Sequence, residues 1–133
     1  KGRALAIERD PSRKLEFVEL DQADGCDVLM AKGALQYLDY GLPELLQKLD
    51  VLPRKLLINL TPMHPDRSFF TLQHIGVAVC PYRINAISQF LLDIQALGFR
   101  LIERWEHLDR SVRIPFHPNS SIDRYHGFCF SRD

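Results

Sequence analysis

Histidine is the side chain that titrates nearest neutral pH, so the five histidines are the first candidates for proton transfer or metal binding. His64 lies in the run Thr61-Pro62-Met63-His64-Pro65-Asp66, and His74 follows Gln73. Either imidazole could take a proton from a hydroxyl or amine as a general base. For each, a surface or hydrogen-bonded structural role stands as the alternative. His107, His117 and His126 are scattered, with no i, i+4 spacing and no CxxC companion, so no metal site is expected. Cys26, Cys80 and Cys129 are odd in number and widely spaced, which argues against a zinc ribbon. They read as reduced, mostly buried thiols of a cytoplasmic protein. No Ser-His-Asp or Cys-His arrangement has motif support.

The chain of 133 residues is long enough for one domain, 1–133, with a real core. Its 17 basic and 17 acidic residues cancel. A balanced surface gives no electrostatic case for nucleic acid or an anionic membrane. No apolar run approaches the roughly 18 residues of a membrane span, and no signal peptide is seen. The first residue is Lys1, inside a helical pattern, which reads as a fragment.

The elements that must position these side chains follow from periodicity. Residues 2–9 read as the tail of a helix, stopped by Asp10-Pro11-Ser12. Residues 15–20, LEFVEL, alternate as a short strand. Residues 26–31, CDVLMA, are nearly all apolar and read as a strand buried on both faces of a parallel sheet. Leu42, Leu45, Leu46 and Leu49 sit at helical spacing over 42–51, with Pro43 in the first turn. KLLINL, 55–60, reads as a second buried strand. Residues 61–82 read as a long connection. A helix is expected over 85–97, with Asn85 as N-cap and Gly98 as its stop. FRLIERWE, 99–106, and HGFCFSR, 126–132, read as strands forming an antiparallel pair at the edge of the sheet. The alternation indicates an α/β fold.

Several stretches resemble a family of uncharacterised bacterial S-adenosylmethionine (SAM)-dependent methyltransferases of the Rossmann-like class I type. CDVLMAKGALQYL (26–38) is similar to its strand and turn, and KLLINLTP (55–62) to its next strand ending in Thr-Pro. TLQHIG (71–76) resembles its Gln-His segment, and ALGFRLIERW (96–105) the helix, Gly-aromatic turn and strand near its end. The resemblance implies a sheet of order 3-2-1-4-5-7-6 with strand 7 antiparallel, of which this chain supplies strands 3 to 7 with flanking helices. It places the Gly-rich turn that cradles SAM, and the acidic residue that holds the ribose, upstream. No G-x-G-x-x-G occurs here.

In open α/β sheets ligands bind outside the carboxyl ends of the strands. Combined with the resemblance, this implies cofactor contacts from Asp21 to the adenine amino group and from Lys32, Gly33, Ala34 and Leu35, with Leu35 against the adenine ring; the alternatives are a solvated turn aspartate and a strand-to-helix turn with Leu35 and Leu38 as core. The acceptor rim would carry Thr61, Gln73 and Tyr82, and the resemblance favours His74 over His64 as base. Pro81-Tyr82-Arg83 departs from the family's usual Pro-x-Trp. The six residues from Asp21 to Cys26 reach at most roughly 20 Å, short for the family's crossover. Asp24-Gly25 is also a hairpin signal, so 15–20 could instead pair antiparallel with 26–31. Either way the strand at 27–31 is left with a bare edge, which invites a homodimer or a missing N-terminal segment. The expected ligand is a small-molecule acceptor. The rival reading is a non-catalytic, degenerate methyltransferase-fold interaction module.

Overall fold

The computed structural model describes residues 2–10, 12 and 14–133, without the side chains of 2, 3, 6, 7 and 21. Helix α1 (Gly2–Arg9) opens the chain. Strand β1 (Val28–Lys32) then runs parallel to β2 (Lys55–His64), in register from Val28↔Lys55 to Lys32↔Asn59. The return between them is made by a tight turn at Leu35–Tyr37 and the short helix α2 (Leu42–Leu46), where Pro43 stands in the first turn. Beyond β2 come β3 (Phe69–His74), β4 (Val79–Ala86), helix α3 (Ile87–Ala96), β5 (Arg100–His107) and β6 (Tyr125–Ser131).

The described residues form a mixed α/β fold around a six-stranded, mostly antiparallel sheet with few helices. Its order is β3-β4-β2-β6-β5, with β1 also beside β2. Strand β6 pairs antiparallel with both β2 and β5. Strand β4 meets β2 in parallel at Met63↔Asn85 and His64↔Ala86, and pairs antiparallel with β3.

Strand alternation sends Leu56 and Ile58 of β2 and Phe128 and Phe130 of β6 to one face. There they meet Leu42 and Leu46 of α2 and Phe90 and Ile94 of α3 in the main core. Each such side chain contributes about 1.5–3 kcal/mol on burial. A second cluster joins Tyr82, Ile84 and Ile122, with Phe69, Val112, Ile114 and Tyr125 against them.

Several sequence expectations are corrected. Residues 15–20 form neither a sheet strand nor a hairpin with 26–31. Their stretch carries no strand pairing, and Leu15, Phe17 and Val18 are exposed. Alternation alone does not make a strand when no neighbour accepts its hydrogen bonds. Strand β1 is buried on one face only: Ala31 joins the core while Val28 and Met30 (65% exposed) face out. The span 61–82 is not a loop. Strand β2 continues to His64, and β3 and β4 form a hairpin closed at Ile75–Ala78, with Gly76 at φ 88. The helix expected at 42–51 ends at Leu46. Asn85 is a strand residue, and Ala86 takes the N-cap of α3. Gly98, at φ 85, follows the end of α3 as expected. The C-terminal strands do pair antiparallel, with β5 at the edge and β6 inside. The cysteines are free and half-buried. No helix among the described residues is long and apolar enough to cross a membrane.

Candidate functional site

The carboxyl end of β1 comes level with the middle of β2, at Lys32↔Asn59, and there the backbone of β2 is irregular. The register of β2 on β6 shifts between Ile58 and Thr61, and Leu60 holds φ 53. A left-handed conformation at a non-glycine residue costs about 1–2 kcal/mol. Gly33, which ends β1 at φ 60, donates its N–H to the Asn59 carbonyl at 2.9 Å.

Of the residues read as cofactor contacts, Lys32 and Ala34 are exposed beside Gly33. Leu35 is 5% exposed and belongs to the main core. Its side chain packs among core residues, the place that the core alternative gives it. A Cβ on Gly33 would meet nothing closer than 3.9 Å, so no backbone cradle is carved there. The side chain of Asp21 lies outside the described residues. These residues make one wall at most and do not fit SAM as a complete site.

The acceptor-side residues divide into two groups. Thr61 is 1% exposed, and its hydroxyl is buried without a partner among the described residues. Gln73 and Tyr82 are linked through Tyr37, whose hydroxyl donates to Gln73 Oε1 at 2.8 Å and whose ring meets Tyr82 edge-on at 5.4 Å. The Tyr82 and Tyr125 hydroxyls are 2.6 Å apart. Burial, then the Tyr125 hydrogen bond, pushes Tyr82 far above the usual phenol range. The chain brings together Gly33 with the Asn59–Thr61 bulge, and Gln73 with Tyr82, as two neighbouring patches.

Neither expected base presents a free pair of nitrogens. His64 is buried, donates Nε2–H to the Asn119 carbonyl at 2.9 Å, and accepts the Asp66 N–H at Nδ1 at 3.1 Å. His74 is exposed on β3, and its Nδ1 accepts the Gly76 N–H at 3.2 Å. Among the described residues no cluster of His, Cys, Asp or Glu could hold a metal ion.

Two features escaped the sequence reading. A cleft of about 820 Å³ opens past the ends of β2 and β5, with Met63 and Ile87 on one side and Arg104, Glu106, Arg113 and His126 on the other. Burial, then the Arg104 charge, lowers the His126 pKa below its usual value. Arg104 Nη2 stands 3.3 Å from His126 Nδ1, so the neutral ring accepts there. Arg124 binds Glu106 at 2.8 Å and Asp123 at 2.9 Å, holding both carboxyls below the usual range.

The second feature lies on the opposite face of the sheet. Trp105 and His107, two apart on β5, share that face by alternation, and both reach Asn59. Gly127, across from Trp105 on β6, leaves the space its indole fills: a Cβ there would lie 2.1 Å from Trp105 Cε2. The pattern Trp-x-His on a strand was the available signal. Set against known proteins, the sequence matches no protein-family model and no curated protein.

Proposed function

We propose that this chain is the carboxyl-terminal portion of a Rossmann-like, SAM-dependent methyltransferase domain acting on a small molecule. In this reading the grip on the cofactor comes from a segment upstream of these strands. The observation that supports it is the order β1-β2-β6-β5, with β6 antiparallel between two strands that run the same way. That is the arrangement the resemblance implies for strands 4-5-7-6. Helices α2 and α3 pack on a single face, as crossovers of that sheet would. The cleft at the carboxyl ends of β2 and β5 is where an open α/β sheet takes its ligand.

The rival reading, a non-catalytic module that kept the sheet and lost the cofactor site, is favoured by one observation. Leu35 is core and Gly33 is not pressed by its surroundings, so nothing in 32–35 is shaped around a cofactor. Calorimetry with SAM separates the two. The methyltransferase reading expects binding by a longer natural form and none by residues 1–133. Absence of binding by both would leave the module.

In either case the outer edge of β1 has no strand partner among the described residues, and Met30 and Val28 stand exposed beside it. We infer that this edge is covered by an upstream segment or by a second copy of the chain.

A further inference from the structure

The hydrogen bonds around Asn59 show that Nε2 of His107 carries a hydrogen. The Asn59 side-chain oxygen receives the Leu60 N–H at 2.9 Å and the Trp105 indole N–H at 3.1 Å. Two N–H donors converging on one amide atom require it to be oxygen. His107 Nε2 lies 2.7 Å from that same atom. An amide oxygen only accepts, so Nε2 carries the imidazole proton. The 3.2 Å approach between the Trp105 and His107 nitrogens is then two N–H groups sharing one acceptor. In the neutral ring the lone pair is left on Nδ1, and no described residue donates to it.

The other groups at this place serve the same arrangement. Gly127 gives the indole a flat seat, because any side chain there would occupy the ring's position. The strained Leu60 sits in the bulge that carries Asn59. Backbone strain of this kind persists where surrounding structure holds it, and it gathers at functional sites. Helices α2 and α3 lie against the other face, so they do not cover this one.

We propose that Asn59, Trp105 and His107 form a binding site for a ring compound bearing a hydroxyl group. The ring lies on the Trp105 indole, and the hydroxyl donates to His107 Nδ1. The Trp105 and His107 rings lie side by side, their nitrogens 3.2 Å apart, so one ring compound can cover the indole and still reach the imidazole. Asn59 is the positioning residue: it sets the tautomer that leaves Nδ1 able to accept. The site lies on the face opposite the cleft and does not depend on the methyltransferase reading. Phenols and pyranose sugars share this chemistry, since both present a face to indole and a hydroxyl at its margin.

The test uses residues 1–133 with p-cresol, methyl β-glucoside and, as a ring without a hydroxyl, toluene. The readouts are emission of the sole tryptophan and the imidazole ¹⁵N shifts of His107. The expected result has three parts. The free protein shows the Nε2–H tautomer. One hydroxyl probe quenches Trp105 saturably and shifts Nδ1 while toluene does neither. His107→Phe weakens that probe at least fivefold. Response to cresol alone assigns an aromatic ligand, and response to the glucoside alone a carbohydrate. An Nδ1–H tautomer, silence to both probes, or equal response to toluene overturns the site. The tautomer and titrations are read on the unaltered chain, so a variant that does not fold leaves the test intact. Probe binding without SAM binding by any natural form keeps the site and removes methyl transfer. SAM binding with silent probes does the reverse.

Discussion

Replacing Gly127 by alanine isolates the seat of Trp105. The glycine is not at positive φ, so alanine is allowed there by the backbone, and only the space is at issue. The added Cβ would lie 2.1, 2.2 and 2.5 Å from Trp105 Cε2, Nε1 and Cζ2. Contacts that short force the indole to move. Overpacking of this kind costs about 1–3 kcal/mol. Losing the indole bond to Asn59 adds about 1 kcal/mol, and removing a glycine from a strand returns about 0.5–1 kcal/mol. The net loss is about 1–3 kcal/mol. Unfolding entropy near 2.1 cal/mol/K per residue then gives a fall in Tm of about 4–11 °C for 133 residues. The measurement is thermal unfolding, with emission of the single tryptophan followed in the native state. A red shift should accompany the lower Tm. In a Trp105→Phe background the same substitution should cost visibly less, so a double-mutant cycle yields a coupling energy. Unchanged Tm and emission in Gly127→Ala would refute the packing described for this face.

Leu35→Ala should destabilise by about 2–5 kcal/mol in urea melts, as expected for a core leucine; a loss below 1 kcal/mol would return Leu35 to the list of ligand contacts. Tyr82 has a folded pKa above its unfolded value of about 10, so its contribution is complete below that pH and is lost as pH rises beyond it. Tyr82→Phe should therefore flatten the alkaline limb of stability measured from pH 8 upward. Glu106 and Asp123 have lowered pKa values through Arg124, so their contribution holds above the ordinary carboxylate range and fades on acidification. Arg124→Gln should flatten the acid limb below about pH 4.5, and added salt should mute the difference. Sedimentation should show self-association of the chain that Met30→Lys reduces; a monomer at all concentrations would remove a second copy as the cover for β1.

The core strands could be read in advance because their residues announce them. KLLINL and HGFCFSR are short apolar runs; β6 falls on its run within one residue at each end, and β2 starts on its run and continues four residues past it. Gly98 marked the end of α3 because the chain there needs positive φ. LEFVEL carries the same alternation and is no strand, since pairing depends on a neighbour that periodicity does not supply. The hairpin at 69–86 was hidden by Pro81, which reads as a breaker. That proline sits opposite Leu72 within β4. At the site, His64 and His74 drew attention by residue type, and their ring nitrogens proved to be engaged by Asn119, Asp66 and Gly76. Asn59 and His107 stand 48 positions apart. Only the path from β2 through β6 to β5 joins them, and no local window contains that path.

Strand β2 feeds the main core on both sides of its break at Asn59–Leu60, through Leu56 and Ile58 before it and Met63 after it, while the second cluster draws on β4 and its neighbours. The hairpin of β3 and β4 pairs with the rest of the sheet at two residue pairs at the end of β2, and Tyr82 ties it to Tyr125 of β6. Amide exchange should therefore come in two tiers. Protons along Leu56–Ile58 and Phe128–Phe130 should exchange only with global unfolding, and those of the hairpin through a smaller, earlier opening. Gln73, on the outer strand of that hairpin, would then share in motions that Asn59, Trp105 and His107 do not feel. The expected pattern is a slow-exchanging frame along β2 and β6 beside a hairpin whose outer strand opens first.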